Sequence, residues 1–224
     1  MKGHRLAAAA PVLLLLAHCG STPTRVFDLS PGAPAVGAAA APSRDGPLIW
    51  VDKPSVAGYF DRTQMVTRGA GSRISIHEFE VWSDPPADLL QRAVVDDLAH
   101  RFGADRVMAM PLAHYATPAW RVALDVIRFD VDERGDAVLD ARWTLLTGSS
   151  DRIAASRREL IEVPSGDAAD PARRVTALRE AVAMLASRIG DAVATAMPDA
   201  SRREVSAGRG VLRRHVSAPF RASF

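Results

Sequence analysis

The chain of 224 residues holds one cysteine, two lysines and no apolar run long enough to cross a bilayer. A single cysteine, Cys19, excludes an intramolecular disulfide and any Cys-rich zinc site. Lys2 and Lys53 are the only lysines, so the 28 basic residues are almost all arginine, and against 26 acids they leave a net charge of +2. So thin an excess is not a nucleic-acid footprint. Also missing are a G-x-S-x-G elbow, an H-E-x-x-H helix and a Walker phosphate loop, and no internal repeat is visible. His77, His100 and His114 fall on separate elements at no metal-like spacing, which reads as three solvated or half-buried histidines. Hydrophobic residues at 48% and charged residues at 24% exclude both wholesale disorder and a polytopic membrane protein. The length fits one core with appendages, since two full cores need roughly 300 residues.

What is present begins with an address. Lys2 and Arg5 precede a charge-free stretch from Leu6 to Ala17, the pattern of a secretory signal. It ends Leu16-Ala17-His18-Cys19-Gly20, which resembles the lipobox of bacterial lipoproteins, where the cysteine sulfur takes a diacylglycerol and becomes the new N-terminus. His18 stands where a small residue is usual, which predicts slow processing. The plainer alternative is an ordinary secretory signal with an incidental cysteine. Gly20 and Ser21 follow with no aspartate, and by the lipoprotein rule this implies the outer membrane.

Four segments follow from composition. Residues 1–18 read as a lipoprotein signal peptide, and residues 19–46 as a short strand followed by an Ala/Pro/Gly linker. Residues 47–198 form the globular part. Residues 199–224 carry six arginines against Asp199 and Glu204 and read as a basic tail without regular structure.

Ahead of the linker, Val26-Phe27-Asp28-Leu29 is expected to return as an edge strand, and Leu48 to Val51 opens the globular part as a buried one. Strands are expected around 64–68, 73–81 and 107–110. Asp84 is placed to cap a helix over 85–102, whose Leu90, Val94, Leu98 and Phe102 recur every fourth residue. Trp120, Val122, Leu124 and Val126 alternate, and Ile127, Phe129 and Val131 then alternate in the opposite phase, which predicts a β-bulge. A turn at Glu133 to Asp136 leads into a return strand over 137–147 and a third over 152–163. Asp170-Pro171 opens a second helix, expected to end at Pro198. The fold class is therefore α/β: one sandwich domain, a mixed sheet with an antiparallel meander packed against two main helices. Leu90, Val94, Leu98, Leu124, Trp143, Leu178, Val182 and Leu185 are the expected core.

No catalytic constellation emerges. Asp125, Asp130 and Asp132, near Arg121 and Arg128, read as the wet face of a sheet. Arg68-Gly69-Ala70-Gly71-Ser72-Arg73 has the look of an anion-binding loop, but no capped helix follows it, and a bare hairpin turn is favoured. Asp61-Arg62 after two aromatics reads as a tight turn, its carboxylate accepting backbone amides and its arginine reaching a neighbouring acid, or alternatively as a partner contact.

The run Tyr59-Phe60-Asp61-Arg62-Thr63-Gln64-Met65-Val66-Thr67-Arg68, the Gly69 to Arg73 turn and Glu78-Phe79-Glu80-Val81-Trp82-Ser83-Asp84-Pro85 resemble the PqiC (YmbA-type) family of ABC-transport auxiliary lipoproteins. Ser21-Thr22-Pro23 leading to Phe27-Asp28-Leu29 extends the likeness, with phenylalanine in place of the family's tyrosine, so that it covers residues 16–198. The resemblance implies a non-enzymatic lipoprotein without a cofactor that docks an MCE-domain protein of a Pqi-like system and assembles into a ring. It also implies that Tyr59, Asp61, Arg62, Gln64, Arg68 and Arg73 lie at a partner or ring interface. Two other readings remain: a periplasmic module holding a lipid or small molecule in a sizeable cavity, and a hydrolase with a dispersed site.

Overall fold

The fold is organised around two long antiparallel strands whose apolar residues alternate. The structure, a computed structural model, describes residues 22–30, 46–111, 117–148, 150–167 and 169–214. In chain order the strands are β1 (Arg25–Phe27), β2 (Ile49–Val51), β3 (Ser55–Val56), β4 (Gln64–Arg68), β5 (Ile74–Trp82), β6 (Val107–Ala109), β7 (Trp120–Val131), β8 (Asp136–Thr147) and β9 (Ile153–Pro164). Helix α1 (Pro86–Phe102) lies between β5 and β6, and α2 (Pro171–Arg214) follows β9.

Strand β7 is the axis of the sheet. Along one edge it pairs antiparallel with β8, which carries β9 in turn, giving the expected meander. Along the other edge it meets β2, β3 and β4 in succession, all parallel to it. Beyond these, β2 carries β6, and β4 pairs antiparallel with β5, which carries β1 at the outer edge. The result is an open, mixed nine-stranded sheet.

The phase flip in β7 is a bulge. Val126 pairs with Ala141 and Arg128 with Asp140, leaving Ile127 as the extra residue. Its consequence is that Phe129 and Val131 return to the buried face already occupied by Trp120, Val122, Leu124 and Val126. Helices α1 and α2 cover that face, and all eight expected core residues are buried there. Burying each leucine contributes about 1.5–3 kcal/mol relative to leaving it exposed. Gln91 fastens α1 to the sheet, its Nε2 donating to the carbonyls of Val51 at 2.9 Å and Met110 at 2.7 Å. Between the helices, the Arg179 guanidinium grips Asp97 through both carboxylate oxygens at 2.8 and 2.5 Å.

Two local expectations change. Asp84 does not cap α1; its carboxylate accepts from Arg92 Nη2 at 2.6 Å, two turns along, and Pro86 takes the first helical turn without a side-chain cap. Asp170 does cap α2, accepting from the Ala172 amide at 2.9 Å. Helix α2 then passes through Pro198 and continues to Arg214, so residues 199–214 are helical where no regular structure is expected from composition. Alanine, arginine and glutamate in this stretch are strong helix formers, and they extend a helix already held by tertiary packing.

A buried ion cluster ties the N-terminal strand to the body. Glu80 on β5, 8% exposed, accepts from Arg25 of β1 at 2.9 Å and from Arg174 of α2 at 2.6 Å. The β8–β9 turn is equally specific: a Cβ on Gly148 would fall 1.8 Å from the Pro118 carbonyl oxygen, so only glycine permits that approach.

Candidate functional site

Pairing along the second edge of β7 is interrupted. Strand β3 ends opposite Val126 and β4 rejoins only at Val131, leaving the residues between without a strand partner on that side. The turn from Ala57 to Arg62 fills the gap. Ala57 N donates to the Val126 carbonyl at 3.1 Å, and the Tyr59 hydroxyl accepts the Phe129 amide at 3.3 Å. A buried amide needs an acceptor, and here a phenol oxygen replaces the missing strand.

The same hydroxyl donates to Asp130 Oδ2 at 2.6 Å. Asp130 is 0% exposed, and it also accepts from Arg68 Nε at 3.2 Å and Arg128 Nε at 2.9 Å. Arg68 lies over the Tyr59 ring, 5.0 Å from its centroid, a cation–π arrangement. Phe60 points the other way, into the core beside Phe129. The two adjacent aromatics therefore serve opposite faces of the sheet.

The six interface residues implied by the resemblance divide. Tyr59 and Arg68 turn inward to Asp130, while Asp61 and Arg73 are exposed and Arg62 and Gln64 are half-buried. Asp61 accepts no backbone amide among the described residues; the turn is closed by Phe60 N to Ala57 O and Arg62 N to Phe60 O. Nor does Arg62 reach an acid among them, since its Nε is buried without a partner. The Gly69–Arg73 segment is a hairpin turn, with Gly69 N donating to Arg73 O at 2.8 Å and Gly71 at φ +66°. Its amides thus serve the hairpin. Cys19 lies outside the described residues.

The acidic trio on the meander also divides. Asp125 is exposed, and Asp132 accepts the Arg134 and Asp136 amides in its own turn. Asp130 departs from the expected wet face because the Tyr59 turn and Arg68 close over it. Sequence reasoning missed this convergence, whose partners lie 71 and 62 residues away. It also missed the irregularity in β5: Gln64 pairs with Val81 but Met65 with His77, so Glu78-Phe79-Glu80 leaves the β4 ladder, while Glu80 still pairs with Arg25 of β1. There Phe79 stands 48% exposed while Glu80 turns inward to its arginines. Thr63 and Gln64 lie alongside, with Trp82 N donating to the Thr63 carbonyl at 2.7 Å. Burial holds His77 below its ordinary imidazole value, and Thr67 Oγ1 meets its Nε2 at 3.0 Å.

Burial first, and then the hydrogen bond to Asp130, pushes the Tyr59 phenol from 10.0 up to about 12. A raised value means that folding favours the protonated phenol. This contribution is complete below pH 10 and is lost as pH rises through about 12. In a Tyr115→Phe protein, where Tyr59 is the sole tyrosine, phenolate absorbance should therefore appear near pH 12. Ionisation near pH 10 in the folded protein would contradict the buried hydrogen bond.

Residues 27–190 match the family model for the ABC-type transport auxiliary lipoprotein component. The chain belongs to that family. Protein XCC0632 from Xanthomonas campestris, a DUF330 protein, shares its fold at 24% identity and a TM-score of 0.59, with 71% of this chain and 93% of that one covered. A second solved structure, of an uncharacterized protein, shares the fold at 16% identity and a TM-score of 0.62, covering 76% of this chain and 98% of the other. No curated protein matches the chain. The PqiC-like resemblance and the α/β fold expected from sequence both hold. For this auxiliary lipoprotein, the matched region spans the Tyr59 turn, the Asp130 cluster and the Phe79 irregularity. No described helix is long and apolar enough to cross a membrane.

Proposed function

We propose that this auxiliary lipoprotein is a non-enzymatic docking subunit, anchored through acylated Cys19 to the periplasmic face of the outer membrane. It receives the MCE-domain protein of a Pqi-like lipid-transport system. The observation that carries this reading is the division of the family-like motif into an inward and an outward half. Tyr59 and Arg68 are consumed in holding Asp130, whereas Asp61, Arg73 and the apolar Phe79 are left exposed on the same hairpin region. An exposed aromatic and exposed charges on one region suit recognition, since aromatic anchors carry binding energy and rim charges set its rate and register. Homo-oligomerisation belongs to the same reading. Strand β9 is a twelve-residue sheet edge with Leu160 at 60% exposure, and so long an edge calls for a covering partner.

The test reverses the exposed charges together, Asp61→Lys with Arg73→Glu. Exposed sites of this kind change stability by about 0.5 kcal/mol or less. Titration with the purified MCE protein should show affinity falling by about tenfold, the equivalent of about 1.4 kcal/mol, while the unfolding midpoint stays put. Unchanged affinity would take this surface out of the interface.

A further inference from the structure

Where α2 crosses the far end of the meander, helix and sheet part to leave a groove of about 740 Å³. Its apolar surface comes from Ile153, 63% exposed, and from the short side chains of Ala155, Ala192 and Ala196, with Trp120 and Trp143 buried beneath. It lies within the range of small-molecule sites.

Charge at its mouth is uneven. Glu159 is taken by Arg188, and Asp191 by Arg101 at 2.7 Å. Arg152, just before β9, and Arg157, on β9, are exposed and have no carboxylate partner among the described residues.

We infer that this groove is a binding site for an anionic amphiphile, an apolar chain carrying a phosphate or carboxylate. The chain lies along Ile153 and the alanines, and the headgroup sits at Arg152 and Arg157. Guanidinium forks match such oxyanions bidentately, and the short walls leave room for methylenes. The site lies on the β9–α2 side, apart from Asp61, Phe79 and Arg73, so it stands or falls independently of the docking reading.

The test is calorimetric titration of the full chain with octyl phosphate, with inorganic phosphate and octyl glucoside as comparison probes. Octyl phosphate should bind one to one and at least tenfold tighter than either. The Arg152→Glu/Arg157→Glu protein should lose at least tenfold in affinity while keeping its unfolding midpoint. Ala192→Trp should abolish binding by filling the groove. Equal affinity for octyl glucoside, or no effect of the arginine reversals, would overturn the headgroup site. Equal affinity for inorganic phosphate would leave a simple anion site, and no heat with octyl phosphate would overturn the inference outright. Because the arginines are exposed, their variant decides the matter even if the tryptophan variant fails to fold. In either case, binding of the MCE protein by the arginine variant reports separately on docking.

Discussion

Replacing Asp130 by alanine should destabilise the protein by about 3–5 kcal/mol, the cost typical of breaking a buried ion pair from one side. The reason is the number of groups that would be stranded. Asp130 is 0% exposed and receives the Tyr59 hydroxyl, Arg68 Nε and Arg128 Nε. The two arginine side chains are only 28% and 26% exposed, so water cannot fully replace the carboxylate. Tyr59 would also lose the bond that orients its oxygen toward the Phe129 amide, freeing the turn that bridges β3 and β4. At about 2–4 °C per kcal/mol for a chain of this size, the melting temperature should fall by about 6–20 °C. Asp130→Asn loses the charge and one of the two acceptor oxygens but keeps the other, so its cost should be smaller than that of alanine. Urea and thermal unfolding of both variants measure the difference. An alanine variant within about 1 kcal/mol of the parent would mean that the cluster is dispensable and that the motif's inward half has another purpose.

The second large effect concerns anchoring. Cys19→Ser removes the only thiol in the chain and with it the only position for a thioether-linked diacylglycerol. Stable attachment takes two or more acyl chains, each buried methylene contributing about 0.8 kcal/mol, so loss of the anchor should be close to all-or-none. The protein should move from the outer-membrane fraction to the soluble periplasmic fraction, and mass spectrometry of the parent should find the lipid on Cys19. An unmodified Cys19 thiol in the parent, or a serine variant still fractionating with the outer membrane, would refute lipid attachment there. His18→Gly should speed maturation if the bulky residue limits the peptidase.

Much of the fold was legible because local patterns and tertiary burial agree. The fourfold recurrence of Leu90, Val94 and Leu98 marks α1, and the phase flip between Val126 and Ile127 marks a bulge that β8 registers at Ala141 and Asp140. Caps were less readable, because a carboxylate chooses among competing donors. Asp84 is drawn to Arg92, whereas Asp170 keeps its helix amide. The end of α2 lies beyond Pro198 because helix-forming residues continue a helix already packed on the sheet, although the segment after Pro198 has no apolar periodicity of its own.

The site was legible only in outline. Tyr59 and Arg68 stand out in the motif, but their shared acid lies in β7, and no local pattern distinguishes Asp130 from exposed Asp125. Burial of Asp130 depends on a turn closing a gap in strand pairing, a property of topology rather than of nearby sequence. One signal was available: Phe129, Asp130 and Val131 directly follow the predicted bulge, where alternation stops being a guide to exposure. Glu80 escaped for a similar reason, since the β5 irregularity turns it inward while Phe79 faces out.

The central claim, that the outward half of the motif receives the MCE protein, is tested most directly by site-specific photocrosslinking in intact envelopes. Crosslinkers placed at Asp61 and Phe79 should capture the MCE protein, while one at Met184 on α2, itself 39% exposed, should not. Capture from Met184 alone, or from none of the three positions while the chain remains anchored, would contradict it.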